Sequence, residues 1–401
     1  MPNDGVAMWH LGDLTFSFML HTDLRFGAGE VRKLPEHIRR FGWRNVALVI
    51  DAGPLKNPAW QAVQGELERE FTITARLETA VTEPTYDYLN EVRVPFMDKA
   101  IDGFVVMGGG SVMDVGKALS VLVTNRRPAI EYRGFDLATQ PGPPIIAIPT
   151  TAGTGSEVTP NAVFIDTREN RKFGINTTLY IPKLCILDPQ LTVSCPRHAT
   201  ISSGADALVH AHESFVSKRA NPITRPLATE AFQLVFNSFR DVMKRPDDLE
   251  SRGRLQLGSY LAAVALFNSS AGPAGAMSYP LGVHHHVPHG VAGAVFLPRV
   301  IEHNVERGYD GYGPLYASIT GSSPVTDPIE AGRRLAEEFR RLWDELGIPR
   351  SLDRFGFTRR DIPDFARQAQ LLQGAFDMNP VPFTMDDVRV TLEAMTPATG
   401  D

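Results

Sequence analysis

Asp206 and His210 stand four residues apart in the run Gly204-Ala205-Asp206-Ala207-Leu208-Val209-His210. On a helix that spacing stacks the two side chains on one face. A carboxylate oxygen and an imidazole nitrogen facing the same way suit a divalent cation such as zinc or iron(II). His289, in Pro288-His289-Gly290, offers a third ligand from a distant turn. Three protein ligands leave a coordination position open, and an open position separates catalytic metal sites from structural ones. Taken alone, such an Asp/His pair is usually just a solvated pair on a helix surface, and the metal reading gains weight only from the motifs upstream.

Two glycine-rich turns could hold an anion. Gly108-Gly109-Gly110-Ser111 leads into Val112-Met113-Asp114-Val115-Gly116-Lys117-Ala118. Consecutive glycines let backbone N–H groups approach a phosphate, and a helix N-terminus adds positive potential. The run is not GxGxxG, because Met113 stands where the third glycine belongs. Ser111 is placed to cap the helix or to donate to a phosphate. The second turn, Pro149-Thr150-Thr151-Ala152-Gly153-Thr154-Gly155-Ser156-Glu157, puts hydroxyls and glycines where a ligand crevice forms at the carboxyl end of a sheet. Asp51 closes an apolar run. A carboxylate there binds an adenosine ribose and repels a 2′-phosphate, or simply caps the turn before Gly53-Pro54.

The elements that must position these residues change character along the chain. Val46–Ile50, Phe104–Met107 and Ile145–Ile148 are short apolar runs that read as strands buried on both faces. Ile73–Leu77 is a further strand, and Leu14–Leu20 an edge strand. Glu30–Phe41, Pro58–Phe71 and Tyr86–Ala100 read as helices, with Pro95 a mark against the last. Strands separated by helices imply a doubly wound α/β domain. Beyond residue 195 the strand signal fades. Helices are expected at Ala199–Ser217, Pro226–Met243, Leu249–Phe267, Pro328–Leu346 and Met385–Met395. The expected organisation is an α/β dinucleotide-binding domain over residues 1–195 and an all-α metal and substrate domain over 196–401.

The length of 401 residues suits two domains, and 43% hydrophobic with 21% charged residues is a globular composition. A net charge of −6 argues against a general nucleic-acid or anionic-membrane binder. No apolar run approaches the roughly 18 residues that span a bilayer. Met1 to Phe18 lacks the basic start of an export signal. Cys185 and Cys195 suit either two buried thiols or a short-loop disulfide, and without an export signal reduced thiols in the cytoplasm are expected.

The ordered set of motifs resembles the iron-containing, or group III, alcohol dehydrogenase family. The resemblance runs from about Phe26 to Pro380. It takes in Asp51, both glycine turns, Ile186-Leu187-Asp188-Pro189, Gly204 to Glu213, Ala220-Asn221-Pro222-Ile223-Thr224 and Pro288-His289-Gly290. It implies a dehydroquinate synthase-like architecture, NAD(H) and a divalent metal, Fe2+ or Zn2+, as cofactors, a small alcohol or aldehyde as substrate, and a homodimer. It extends the cofactor contacts, beyond Asp51, Gly108, Gly109, Gly110 and Ser111, to Asp114, Thr150, Thr151, Thr154, Ser156, Asn161 and Lys172. It places the metal on Asp206, His210 and His289.

One departure matters. The family carries a further metal histidine fourteen residues before the Pro-His-Gly histidine, and here that position is Gly275. An active-site histidine ten residues before it falls on Tyr279, whose hydroxyl could transfer a proton or whose ring could simply pack. Candidates for a replacement ligand are His284, His285 and His286. His285 is the one carried forward, as ligand and as catalytic group. The other outcomes are a three-ligand site completed by water, or a site without metal. Competing functions are a dehydroquinate-synthase-like lyase or cyclase, and a metal-free, non-catalytic member of the family. The substrate reading leaves room for an anionic aldehyde, which protonated histidines could meet.

Overall fold

The computed structural model describes residues 14–321 and 327–397. The reading of Met1 to Phe18 rests mostly on residues 1–13, which lie outside the described residues. One compact unit comprises Leu20–Thr200 and Ser238–Tyr260. The other comprises the described residues up to Met19, Ile201–Asn237, and those from Leu261 onward. The division is therefore interleaved, where the sequence suggested one boundary near residue 195. Ser238–Tyr260 joins the first unit because Gln256 donates to the Pro149 carbonyl (3.2 Å) and Gly253 packs on Pro189 and Phe26.

The strands, in chain order, are β1 (Asp23–Phe26), β2 (Asn45–Asp51), β3 (Thr72–Thr79), β4 (Gly103–Gly108), β5 (Gly134–Phe135), β6 (Ile145–Pro149), β7 (Asn161–Asp166), β8 (Arg171–Asn176) and β9 (Leu184–Leu187). Six of them form a sheet in the order β1-β9-β6-β4-β2-β3, with every pairing parallel. Alternate residues of β2, β4 and β6 enter two different cores. Ala47, Val49, Phe104, Val106, Ile145 and Ala147 fill one. Val46, Leu48, Ile50, Val105, Met107, Ile146 and Ile148 fill the other. Burial on both faces is why these strands read as unbroken apolar runs. β5, β8 and β7 form a small mixed sheet.

The helices of the first half are α1 (Leu34–Arg40), α2 (Pro58–Glu70), α3 (Tyr86–Val92), α4 (Gly110–Leu122) and α5 (Pro189–Thr192). Then follow α6 (Arg197–Val216), α7 (Thr224–Lys244), α8 (Leu249–Phe267), α9 (Pro273–His285), α10 (His289–Glu306) and α11 (Gly313–Thr320). The chain closes with α12 (Pro328–Leu346), α13 (Ile362–Gln370), α14 (Gln373–Asp377) and α15 (Met385–Met395). None of the described helices is long and apolar enough to cross a membrane.

The structure differs from the sequence reading at several elements. Leu14–Leu20 is not a strand. The Asn268 side chain bonds the Met19 N–H (2.6 Å) and carbonyl (2.9 Å), the groups a neighbouring strand would need. Helix α3 ends at Val92, and Pro95 sits inside a separate 3-10 turn, Val94–Phe96. A proline has no N–H to continue the helical ladder. The hairpin β7–β8, strand β9 and helices α9 and α10 lacked a clear period. The two helices carry internal Pro280 and Pro298, which hid them.

Candidate functional site

The two glycine turns meet. β4 ends at Gly108, Gly109 is the N-cap of α4, and no side chain caps that helix. Its first N–H groups therefore remain available to an anion. A Cβ on Gly110 would sit 2.5 Å from Thr154 Cγ2, and one on Gly109 would sit 3.3 Å from Thr151 Cγ2. A Cβ on Gly108 would sit 2.9 Å from Asp51 Cβ. The glycines thus bring the first turn against Thr151 and Thr154 of the second and against Asp51. Thr150 donates its N–H to the Gly108 carbonyl (3.0 Å) and is buried. Asp51 Oδ1 accepts from Gly53 N (3.0 Å), so the carboxylate caps its own turn while standing beside Gly108.

Several predicted cofactor residues serve as struts behind this surface. Ser111 donates its hydroxyl to the Thr82 carbonyl. Ser156 donates to Asp114, and Asp114 also accepts from Val163 N (2.9 Å). Lys117 donates to Ser156 O and Oγ (both 2.8 Å), to Thr159 O (3.1 Å) and to Asn161 O. This fully buried ammonium therefore ties α4 to the second turn and to the start of β7. Burial pushes the Lys117 pKa down to about 8 and raises the Asp114 carboxyl, each opposed by the charge of the other. Burial also pushes Glu157 up to about 7. Lys172, on β8, pairs with Glu83 at 2.8 Å.

The metal candidates lie in the other unit. Asp206 and His210 stack on α6, with His210 Nε2 3.5 Å from Asp206 Oδ1. His289 Nε2 lies 3.9 Å from the same oxygen. One ligand atom from each residue lies within 4.8 Å of the other two. His289 opens α10 after a turn in which His286 takes a left-handed φ of 55°. Gly290 follows, and a Cβ there would sit 1.9 Å from Ser202 O and 2.8 Å from Asp206 Cβ. The Pro-His-Gly motif therefore owes its glycine to the direct seating of α10 on α6, which delivers His289 to Asp206. Two imidazoles and a carboxylate are a donor set suited to an open Fe(II) or Zn(II) site, so the residues fit such an ion.

His289 has a support of its own. Ser278 Oγ lies 2.9 Å from His289 Nδ1 and 2.6 Å from the Gly275 carbonyl. Gly275 N donates to Glu213 Oε1 (2.9 Å), and a Cβ on Gly275 would sit 2.8 Å from Glu213 Oε2. The buried Glu213 carboxylate thus occupies the space beside Gly275 that a side chain there would enter. Burial raises the Glu213 pKa, against the backbone donors and His210.

Tyr279 presents its ring edge-on to His289, with centroids 5.2 Å apart and planes at 86°. The structure does not bring His285 to the metal trio. As the last residue of α9 its ring packs on Phe357, with centroids 5.2 Å apart, and desolvation there lowers its pKa. Desolvation also lowers His284, while His286 caps the helix. Among the described residues the cluster able to hold an ion is Asp206, His210 and His289 alone.

Sequence reasoning assigned no role to Lys117, Glu213 or Ser278. Lys117 left a trace: a lysine three residues after Asp114 inside an otherwise apolar helix segment asks for a buried partner. Nothing in the local sequence marks Ser278, whose role depends on the meeting of α9 and α10.

Comparison with known proteins agrees with this layout. The family model described as iron-containing alcohol dehydrogenase matches residues 21–189. The one described as the C-terminal part of the Fe-containing alcohol dehydrogenase family matches residues 200–396. The chain is 31% identical over 372 residues to long-chain-alcohol dehydrogenase 1 of Geobacillus thermodenitrificans, covering 92% of this chain and 93% of that protein. A crystal structure of a 1,3-propanediol oxidoreductase superposes with a TM-score of 0.89 at 29% identity, covering 95% of this chain and all of that one. The sulfoacetaldehyde reductase of Bifidobacterium kashiwanohense, solved with NAD+, gives 0.82 at 25% identity, covering 96% of this chain and 100% of that one.

Proposed function

The chain belongs to the iron-containing alcohol dehydrogenase family, and on that premise we propose that it moves hydride between NAD(H) and a small alcohol or aldehyde. A divalent metal, Fe2+ or Zn2+, is held by Asp206, His210 and His289. The observation that carries this reading is the convergence of those three ligand atoms within 4.8 Å. Likeness to a reductase solved with NAD+ supports the cofactor, and the same likeness supports an anionic aldehyde as one substrate. The relatives described are oxidoreductases, which favours this reading over a lyase or a non-catalytic protein.

When bound, NAD(H) exchanges the hydride and the cation supplies positive charge where the substrate oxygen gains negative charge. The chain's own residues do the rest. The N–H groups at the start of α4, bared by Gly109 and Gly110, bind the pyrophosphate. Thr150, Thr151 and Thr154 shape the neighbouring wall. Asp51, at the end of β2, binds the adenosine ribose, while Asn161 and Lys172 reach the cofactor from β7 and β8 of the smaller sheet. Asp114, Ser156 and Ser111 hold the turns in place. Tyr279, beside His289, holds the exchangeable proton at its phenol oxygen. The two free thiols, Cys185 and Cys195, support a cytoplasmic protein. A homodimer is the expected assembly, and light scattering tests it.

The test is a cofactor-oxidation assay on protein loaded anaerobically with Fe(II) or Zn(II), using neutral aldehydes and sulfoacetaldehyde. Turnover should need both metal and NADH and should stop when a chelator strips the ion. Full turnover by protein shown to be metal-free would overturn the reading.

A further inference from the structure

We propose that Ser278 is a positioning residue that fixes the tautomer of His289, so that Nε2 is the atom offered to the metal. The inference rests on the metal reading above. The Ser278 hydroxyl touches two groups, Gly275 O at 2.6 Å and His289 Nδ1 at 2.9 Å. A hydroxyl has one proton, and a carbonyl oxygen can only accept. The proton therefore lies toward Gly275, and a lone pair of Ser278 faces Nδ1. That contact is a hydrogen bond only if Nδ1 carries the imidazole proton. A neutral imidazole has one N–H, so Nε2 keeps its lone pair.

Nε2 is also the atom turned toward Asp206 Oδ1, at 3.9 Å. A lone-pair nitrogen and a carboxylate oxygen facing one another are two acceptors, and a cation between them satisfies both. Ser278 thus converts His289 from a potential hydrogen-bond donor to Asp206 into a co-ligand with it. Metal-bound histidines generally donate their second nitrogen in this way, and removing the acceptor weakens metal binding.

The acceptor is itself held. Gly275 N donates to Glu213 Oε1 (2.9 Å), one helical turn beyond His210 on α6. A Cβ on Gly275 would meet Glu213 Oε2 at 2.8 Å, so the absent side chain is what lets the first turn of α9 settle on this carboxylate. Glu213, Gly275, Ser278 and His289 form a chain of contacts linking α6, α9 and α10. Gly275, which cannot be a ligand, serves the centre through its backbone: its N–H meets Glu213 and its carbonyl fixes Ser278.

The experiment uses full-length protein with 15N-labelled histidine, first metal-free. Two-bond 1H–15N correlation spectra report which nitrogen of His289 is protonated, with His289→Ala giving the assignment. The wild type should show Nδ1–H. Ser278→Ala should lose that preference and Ser278→Thr should keep it. Zinc affinity, measured by competition with a chromophoric chelator, should fall about 10- to 100-fold in Ser278→Ala and be largely retained in Ser278→Thr. An Nε2–H signal in the wild type would overturn the proposal, whether or not the variants fold. So would a folded Ser278→Ala with unchanged tautomer and zinc affinity. Failure of the wild type to bind zinc while His289 shows Nδ1–H would instead count against the metal reading.

Discussion

Gly290 lies so close to Ser202 that a Cβ would sit 1.9 Å from the Ser202 carbonyl oxygen. That contact seats the first turn of α10 on α6 and sets where His289 stands relative to Asp206. A backbone carbonyl cannot step aside as a flexible side chain can. Gly290→Ala should therefore displace α10 and destabilise the protein by about 1–3 kcal/mol or more. Bound metal should fall with it. Denaturant unfolding and metal analysis check both; wild-type stability with full metal would show that the helices do not need this approach.

The glycines of the first turn should separate in their effects. A Cβ on Gly109 would meet Thr151 at 3.3 Å (Cγ2) and 3.6 Å (Oγ1), whereas one on Gly110 would meet Thr154 Cγ2 at 2.5 Å. Gly109→Val should raise the NADH dissociation constant on the order of tenfold, about 1.4 kcal/mol, with a smaller change in stability. Gly110→Ala should lower stability as well. NADH fluorescence titration and thermal unfolding distinguish them, and unchanged affinity in folded Gly109→Val would leave the turn a purely structural one.

Asp51 stands at the end of β2 against Gly108. A carboxylate there repels a 2′-phosphate. NADH should therefore be used in preference to NADPH, and Asp51→Gly should narrow the difference. Higher kcat/KM with NADPH in the wild type would remove Asp51 from the ribose site.

Glu157 gives a pH signature with a definite sign. Its pKa rises from 4.5 to about 7 on folding, chiefly through burial. The folded state therefore holds the proton more tightly than the unfolded chain. This favours folding at low pH, and the advantage is lost as pH rises from about 4.5 through about 7. The shift corresponds to at most about 3 kcal/mol. Glu157→Gln should flatten the stability profile across that window. Urea unfolding at a series of pH values measures it, and identical slopes in both proteins would mean that Glu157 titrates normally.

The legible parts of the chain were those governed by short-range pattern. Val46–Ile50 and Phe104–Met107 announced strands because both faces are buried, and Leu249–Phe267 and Pro328–Leu346 appear as read. The ligands Asp206, His210 and His289 came from spacing and motif, and the fold brings them together. Leu14–Leu20 failed because alternation cannot reveal that Asn268 takes the backbone bonds of Met19. His285 stands apart from the trio, because proximity in sequence to His289 says nothing of the turn between them, where His286 takes a left-handed conformation and His285 packs on Phe357. Helices α9 and α10 were hidden by prolines, and the roles of Ser278 and Glu213 exist only once those helices meet α6.

The most direct test of the central claim is bound metal per chain, by elemental analysis of protein reconstituted with Fe(II) or Zn(II), in the wild type and in Asp206→Ala, His210→Ala, His289→Ala and His285→Ala. The wild type and His285→Ala should hold one ion, and the other three variants should lose it. Stoichiometric metal retained by both His210→Ala and His289→Ala, or lost only in His285→Ala, would contradict the account.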